Sequence, residues 1–323
     1  MTTVRSTLDT SASLRGIPVL AQTMKVHVVD GTLELFRCFF GAPRAADASG
    51  VEVGAGRGLL QTLVSLLRKP EVTHVAVAFD EIVDVVRPGR ASLPLVGPGT
   101  DPALRSQYPL GAEIVRALGL TMWPMLKVQA DDALATAAAR WKGHPDVEQV
   151  VLCTTDKDLA QCVEGTKVVM LDRIRKVVID EEGVIAKFGV RPALIPDYLA
   201  LVGDAADWLP GIPGWGPKSA SVVLMRYGGI EGIPANGASW DVRVRGAARL
   251  AEVLDARRME AILYRELARL RTDVPLPQTL EDLEWRGARP ELRELAARIG
   301  EEGVLERVPR WRDRASQEQS PAP

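Results

Sequence analysis

Cysteine and histidine are nearly absent from this chain, three of each in 323 residues. Cys38, Cys153 and Cys162 are odd in number and sit in apolar segments, which excludes a disulfide framework and reads as reduced, buried thiols of a cytoplasmic protein. His27, His74 and His144 lie far apart, with no second nitrogen or sulfur ligand spaced to help, so they read as structural or surface residues and not as a zinc set. There is no run of about 20 apolar residues, hence no membrane-spanning helix. Residues 1–23 lack the apolar centre of a signal peptide and read as a flexible leader, with Met24 as a candidate start. No internal repeat is visible, and the formal charge of −2 lacks the basic excess of a typical nucleic-acid binder.

Aspartate, by contrast, recurs at particular places. Asp30 closes VHVVD, Asp80 closes HVAVAFD, and Asp131 and Asp132 open ADDALATAAA. Asp156 and Asp158 follow VVLCTTDKD, and Asp204 and Asp207 lie in LVGDAADWLPG. The carboxyl ends of parallel strands share one edge of a sheet, where ligand chemistry gathers. Carboxylates crowded there repel one another unless hard cations with oxygen ligands neutralise them. Setting these eight aspartates aside leaves the rest of the chain net positive, which suits a phosphate substrate bridged by cations. Any one of them alone would be an ordinary cap or turn residue, and Asp131 could simply cap its helix. Five such groups together point to a multi-metal pocket.

The organisation supports that edge. Strands are predicted at Lys25–Asp30, His74–Asp80, Gln149–Thr154, Lys167–Leu171 and Lys176–Asp180, the first three as apolar runs suited to burial on both faces. Helical stretches at Gly56–Arg68, Leu110–Leu118 and Asp131–Trp141 alternate with them, so βαβ units are expected. Arg87–Pro109 is rich in Pro and Gly and reads as a loop over the carboxylate edge. The division expected is an α/β core over 24–190, a helical region over 191–311 and a disordered tail over 312–323. Within the helical region, Ala193–Leu201 and Pro217–Tyr227 flank a glycine hairpin, and Val242–Arg271 reads as a long helical region. In the hairpin, Gly211, Gly214 and Gly216 allow close backbone approach, Pro217 suits the first helical turn, and Lys218 joins a helix N-terminus that attracts anions. Such a unit grips a phosphate backbone without reading bases.

The ordered motifs VVDGTLELFRCFF, AVAFD, ADDALA, TTDKDLAQ, GDAADWLPGIPGWGPKSA and LARLRTDVPLP resemble the 5′ nuclease and flap endonuclease family, most of all the 5′-nuclease domain of bacterial DNA polymerase I. The resemblance runs from about residue 24 to 298, with no polymerase module after it, as in a stand-alone version. It implies a PIN-like fold: a mixed, largely parallel twisted sheet with helices on both faces, joined to a helix–three-turn–helix DNA-binding module. It also implies a monomer that cuts DNA at 5′ flaps, nicks, gaps and 5′ ends, RNA-primed ends included, with two or three Mg²⁺ or Mn²⁺ ions and a K⁺ at the hairpin. Asp30, Asp80 and Asp131 would hold a first metal, with Asp132 beside them; Asp156, Asp158 and Asp207 would serve a second, and Asp204 an outer or third. Arg87 would act on the scissile phosphate, Arg37 and Lys157 would contact phosphate, and Arg57, in a Gly54–Gly58 turn, would handle the 5′ strand.

Three departures from the family pattern stand out. Gln129, an uncharged oxygen donor, replaces a usual glutamate; the Tyr-Lys-x-x-Arg segment of the arch is missing; and Trp208 replaces a usual asparagine and reads as a packing residue. Asp30-Gly31-Thr32 also suggests a haloacid-dehalogenase phosphatase, but the nucleophilic aspartate would have to stand where Val28 is. A flap-binding protein with weakened catalysis and a PIN-type ribonuclease are the remaining alternatives.

Overall fold

The structure, a computed structural model, describes residues 24–80, 101–126 and 128–312. The expected leader, Arg87 and most of the expected loop, and the tail from Asp313 lie outside the described residues. In chain order, β1 (Met24–Asp30) runs into α1 (Gly31–Gly41), and α2 (Gly54–Leu67) leads to β2 (Val72–Asp80). Next come α3 (Pro102–Arg105), α4 (Tyr108–Ala117), β3 (Thr121–Met125) and α5 (Ala130–Trp141). Then follow β4 (Val147–Cys153), a 3-10 turn over Asp158–Cys162, β5 (Val168–Asp172) and β6 (Val177–Ile179). The remaining helices are α6 (Glu181–Phe188), α7 (Ile195–Val202), α8 (Pro217–Tyr227), α9 (Ala247–Ala256), α10 (Arg258–Ala268) and α11 (Leu292–Arg298).

The strands form one sheet in the order β3-β2-β1-β4-β5-β6. All neighbouring pairs are parallel except β5 and β6, so the sheet is mixed and largely parallel, as expected. The period-2 alternation of strand side chains feeds two cores. Val26, Val28, Ala76, Ala78, Val150 and Leu152 face a layer with α5, α7 and α8, while Val29, Val75, Val77 and Val151 face α1, α2, α4 and α11. Each fully buried Leu or Val contributes on the order of 1.5–3 kcal/mol, which is why these strands read as unbroken apolar runs.

Several expectations are corrected. β3 was not anticipated, because Pro124 and two methionines disguise it; it is an edge strand, where a missing N–H costs little. Residues 102–105, inside the expected loop, are helical, since Asp101 caps Ala103 N–H at 2.8 Å and Pro102 presets the first turn. The helical region expected over 242–271 is present as two helices that meet at Arg257, whose φ is −122°. Gly54–Gly58 is the start of α2 and not a turn. A Cβ at Gly56 would meet Leu110 at 2.4 Å and one at Gly58 would meet Cys38 at 3.0 Å, so these glycines let helices approach. Residues 284–308, expected within the helical region, return to the core: Trp285 N–H donates to the Thr73 carbonyl at 2.7 Å, its indole N–H donates to Leu118 at 2.8 Å, and Leu292, Leu295 and Ile299 pack beneath α2 and α4.

The glycine hairpin joins α7 to α8. Gly203 (φ 87°) ends α7, Asp204 and Leu209 exchange backbone hydrogen bonds of 2.7 and 2.8 Å, and Gly211 (φ 71°) turns the chain back onto Val202 and Gly203. A Cβ at Gly211 would lie 2.6 Å from the Gly203 nitrogen, whereas one at Gly216 would meet nothing within 4 Å. Gly211→Ala should therefore lower stability by about 2 kcal/mol in denaturant unfolding, through positive φ and backbone clash together. Gly216→Ala should stay within about 0.5 kcal/mol of the parent.

Candidate active site

The sheet order brings the carboxyl ends of β2, β1 and β4 side by side. Asp30 ends β1 and caps α1, its Oδ1 accepting from Leu33 N–H at 2.9 Å, while its Oδ2 accepts from the Thr154 hydroxyl at 3.2 Å. Asp80 ends β2; its N–H donates to Thr32 Oγ1 and its Oδ1 accepts from Ala130 N–H, both at 2.8 Å. That contact docks the start of α5, and Asp131 with it, on the strand end. Past β4, Asp156 N–H donates to Thr154 Oγ1 at 3.1 Å, and Asp158 N–H donates to Asp156 Oδ1 at 3.0 Å. Asp156, Asp158 and Asp207 each offer a carboxylate oxygen within 4.8 Å of the others. Asp158 Oδ1 and Asp204 Oδ2 are buried with no hydrogen-bond partner among the described residues. Oriented hard oxygens, two of them orphaned, fit a divalent cation that prefers oxygen.

Residues 25–189 match the family described as 5'-3' exonuclease, N-terminal resolvase-like domain, and residues 190–291 match its C-terminal SAM fold. The chain belongs to the 5'-3' exonuclease family. Among relatives it is 33% identical over 279 residues to a 5'-3' exonuclease of Aquifex aeolicus, covering 85% of this chain and 91% of that one. It is 37% identical over 269 residues to DNA polymerase I of Pseudomonas aeruginosa, covering 79% of this chain but only 28% of that longer protein. Among solved structures, the bacteriophage T5 D15 flap endonuclease in a complex with DNA and metal ions shares the fold, at a TM-score of 0.58 and 16% identity over 88% of this chain and 96% of that one. The catalytic core of Rad2 with DNA substrate does too, at a TM-score of 0.54 and 14% identity over 89% and 93%.

In this member of the family burial and neighbouring charge make several of these carboxyls harder to ionise. Burial pushes Asp30 up to about 8; the charges of Asp80 and Asp156 add to it, against the pull of Leu33 N–H and the Thr154 hydroxyl. Asp158 is raised to about 9 by burial, then by Asp156, Asp207 and Asp204, and Asp207 to about 7 by burial, Asp156 and Asp204. Asp131 is held well above the carboxylate range by burial and by four neighbours, Asp156, Asp30, Asp80 and Asp158. Without cations this pocket cannot carry its full negative charge near neutrality. Lys157 supplies one positive charge, 2.5 Å from Asp204 Oδ1.

The other predicted residues divide. Asp132 is a correction: fully buried, it accepts Gln129 N–H on Oδ2 at 3.2 Å and Arg271 N–H on Oδ1 at 3.0 Å, so it fastens α5 to the segment after α10. Gln129 caps α5 two residues before Asp131. Arg57 is another correction, since its Nε donates to the Ile299 carbonyl and ties α2 to the returning segment. Arg37 pairs with Asp172 at 3.5 Å, and Lys157 with Asp204, so neither is a free phosphate ligand. Gly211 is buried in the turn, whereas Gly214 and Lys218 are exposed on the hairpin and Gly216 is half-buried. Trp208, expected to pack, is 65% exposed. Sequence reasoning missed Thr32 and Thr154, although a hydroxyl beside a strand-end aspartate, as in DGT and TTD, was the available signal. It also missed Tyr108, buried, with a hydroxyl that has no hydrogen-bond partner among the described residues and that feels the charges of Asp80 and Asp30.

Two outcomes follow from this division. Asp131→Asn removes the cost of placing an ionisable carboxyl among like groups and should stabilise the protein in EDTA at pH 8. Asp132→Ala strands two backbone N–H groups and should destabilise it by about 1–3 kcal/mol, both read by denaturant unfolding. The second concerns pH. Carboxyls with raised folded pKa values bind more protons folded than unfolded, so stability is full at low pH and is lost as pH rises from the ordinary value near 4 towards 9. His27, pushed down to about 4 chiefly by burial, acts in the opposite sense, but only below its ordinary 6.5. Between pH 7 and 9 the metal-free protein should therefore lose on the order of 2–4 kcal/mol, and divalent cations should restore most at the alkaline end. Thermal melts with and without EDTA check this; a flat EDTA profile would contradict it.

Proposed function

We propose that this 5′ nuclease cuts DNA phosphodiesters beside 5′ ends and at the bases of 5′ flaps, using Mg²⁺ or Mn²⁺. One observation carries the reading: acidic groups from β1, β2, the α5 start, the β4 loop and the hairpin share one pocket with two orphaned buried oxygens. Asp30, Asp80 and Asp131 would hold one ion, Asp156, Asp158 and Asp207 a second, with Asp204 behind them. Such ions, when bound, polarise a water and neutralise charge on the leaving oxygen.

The chain's own part is positioning. Thr154 holds the Asp30 carboxylate, Thr32 holds the Asp80 backbone N–H, and Lys157 holds Asp204 in place. Gly214, Gly216 and Lys218 present backbone and one ammonium at the N-terminus of α8, suited to a duplex phosphate backbone. A role for Arg87 at the scissile phosphate is part of the proposal and rests on its place soon after Asp80.

Labelled 5′-flap DNA incubated with Mg²⁺, Mn²⁺ or EDTA tests this directly. The parent should cut with either ion and not in EDTA. Asp156→Ala should lose at least ~10²–10³-fold in rate, the scale of removing one preorganised electrostatic group, while Gln129→Glu keeps or raises the rate. Flap binding with no cleavage in any ion would instead favour a binding protein.

A further inference from the structure

Trp208 stands apart from the other tryptophans. Trp123, Trp141, Trp215, Trp240 and Trp285 are at most 8% exposed, and Trp311 is half-buried, with the Arg293 guanidinium 4.1 Å from its ring. Trp208 is solvent-exposed, and its backbone sits at φ 57°, a left-handed conformation that bulky residues reach only at a cost. The turn demands that conformation, because Asp204 and Leu209 exchange backbone hydrogen bonds across it. Glycine or asparagine would fill the position with less strain. An indole held outside the core on strained backbone gives little back to folding, so its benefit lies in something it binds.

The surroundings say what. A recess of about 640 Å³ opens beside the ring, walled by Gly203, Asp204, Leu209 and Pro210. Trp208 directly follows Asp207, one of the clustered carboxylates, and shares the turn with Asp204. On the nuclease reading, on which this rests, a DNA phosphate is held at that cluster. A base hangs one sugar away from every phosphate, and its flat apolar faces stack on aromatic rings without regard to sequence. We infer that the Trp208 indole is a stacking platform for the nucleobase beside the phosphodiester being cut. It is a positioning residue: it sets which phosphate reaches the carboxylates and takes no part in the bond change.

The test compares the parent with Trp208→Ala, Trp208→Phe and Trp208→Asn. Two labelled 5′-flap DNAs are used, one intact and one with abasic sugars flanking the cut phosphate. Binding is measured in EDTA and single-turnover cleavage in Mg²⁺. Trp208→Ala should weaken binding or raise KM roughly 5- to 150-fold, the scale of about 1–3 kcal/mol per stacked base, and Trp208→Phe should recover most of it. The abasic DNA should cost the parent a similar factor and cost Trp208→Ala little more. Trp208→Asn should melt no lower than the parent. Parental affinity and cutting in Trp208→Ala, additive losses with abasic DNA, or a lowered melting point in Trp208→Asn would each overturn the inference and leave the nuclease reading intact. A parent that cuts no DNA would sink both.

Discussion

The burial of mutually repelling carboxylates is the constraint around which this molecule is built. Asp30, Asp131, Asp156, Asp158 and Asp207 all hold their protons more tightly than free carboxyls, each chiefly through burial and then through charged neighbours. Such an arrangement persists only where rigid elements hold it against its own electrostatics. Strand ends, helix starts and a double-hydrogen-bonded hairpin do so here, and the two apolar cores flanking the sheet supply the stability that offsets the strain.

Orientation matters as much as proximity. Thr154 touches both sides of the pocket, donating to Asp30 and accepting from Asp156, so one small side chain couples β1 to the loop after β4. Thr32 and Ala130 do the same for Asp80. Beside them, Asp158 Oδ1 and Asp204 Oδ2 are buried with no hydrogen-bond partner among the described residues, which suits a cation-binding pocket.

The legible part of the fold was the part written in unbroken apolar runs. β1, β2 and β4 are buried on both faces, so their valines announce them, and the aspartates that end them follow at once. β3 stayed hidden because Pro124 is admissible only at an edge, and edges are a property of the assembled sheet. Asp131 and Asp132 look alike in sequence, yet neighbouring helix positions point about 100° apart, so one enters the pocket and the other turns to the Arg271 backbone. Arg57 read as a phosphate ligand because its partner, the Ile299 carbonyl, lies 242 residues away. Trp208 read as core because aromatic rings usually are, and only the left-handed turn shows why this one is not.

The returning segment has a consequence for how the molecule comes into being. The face that carries α2 and β2 is sealed by Trp285, Leu292, Leu295 and Ile299, and by the bridge between His74 and Glu284. A nascent chain on the ribosome that has not yet delivered these residues leaves its sheet open on one side, with leucines of α2 facing water. The sheet that carries the acid-lined pocket is thus covered on this face only after synthesis has passed the segment from Glu284 to Ile299.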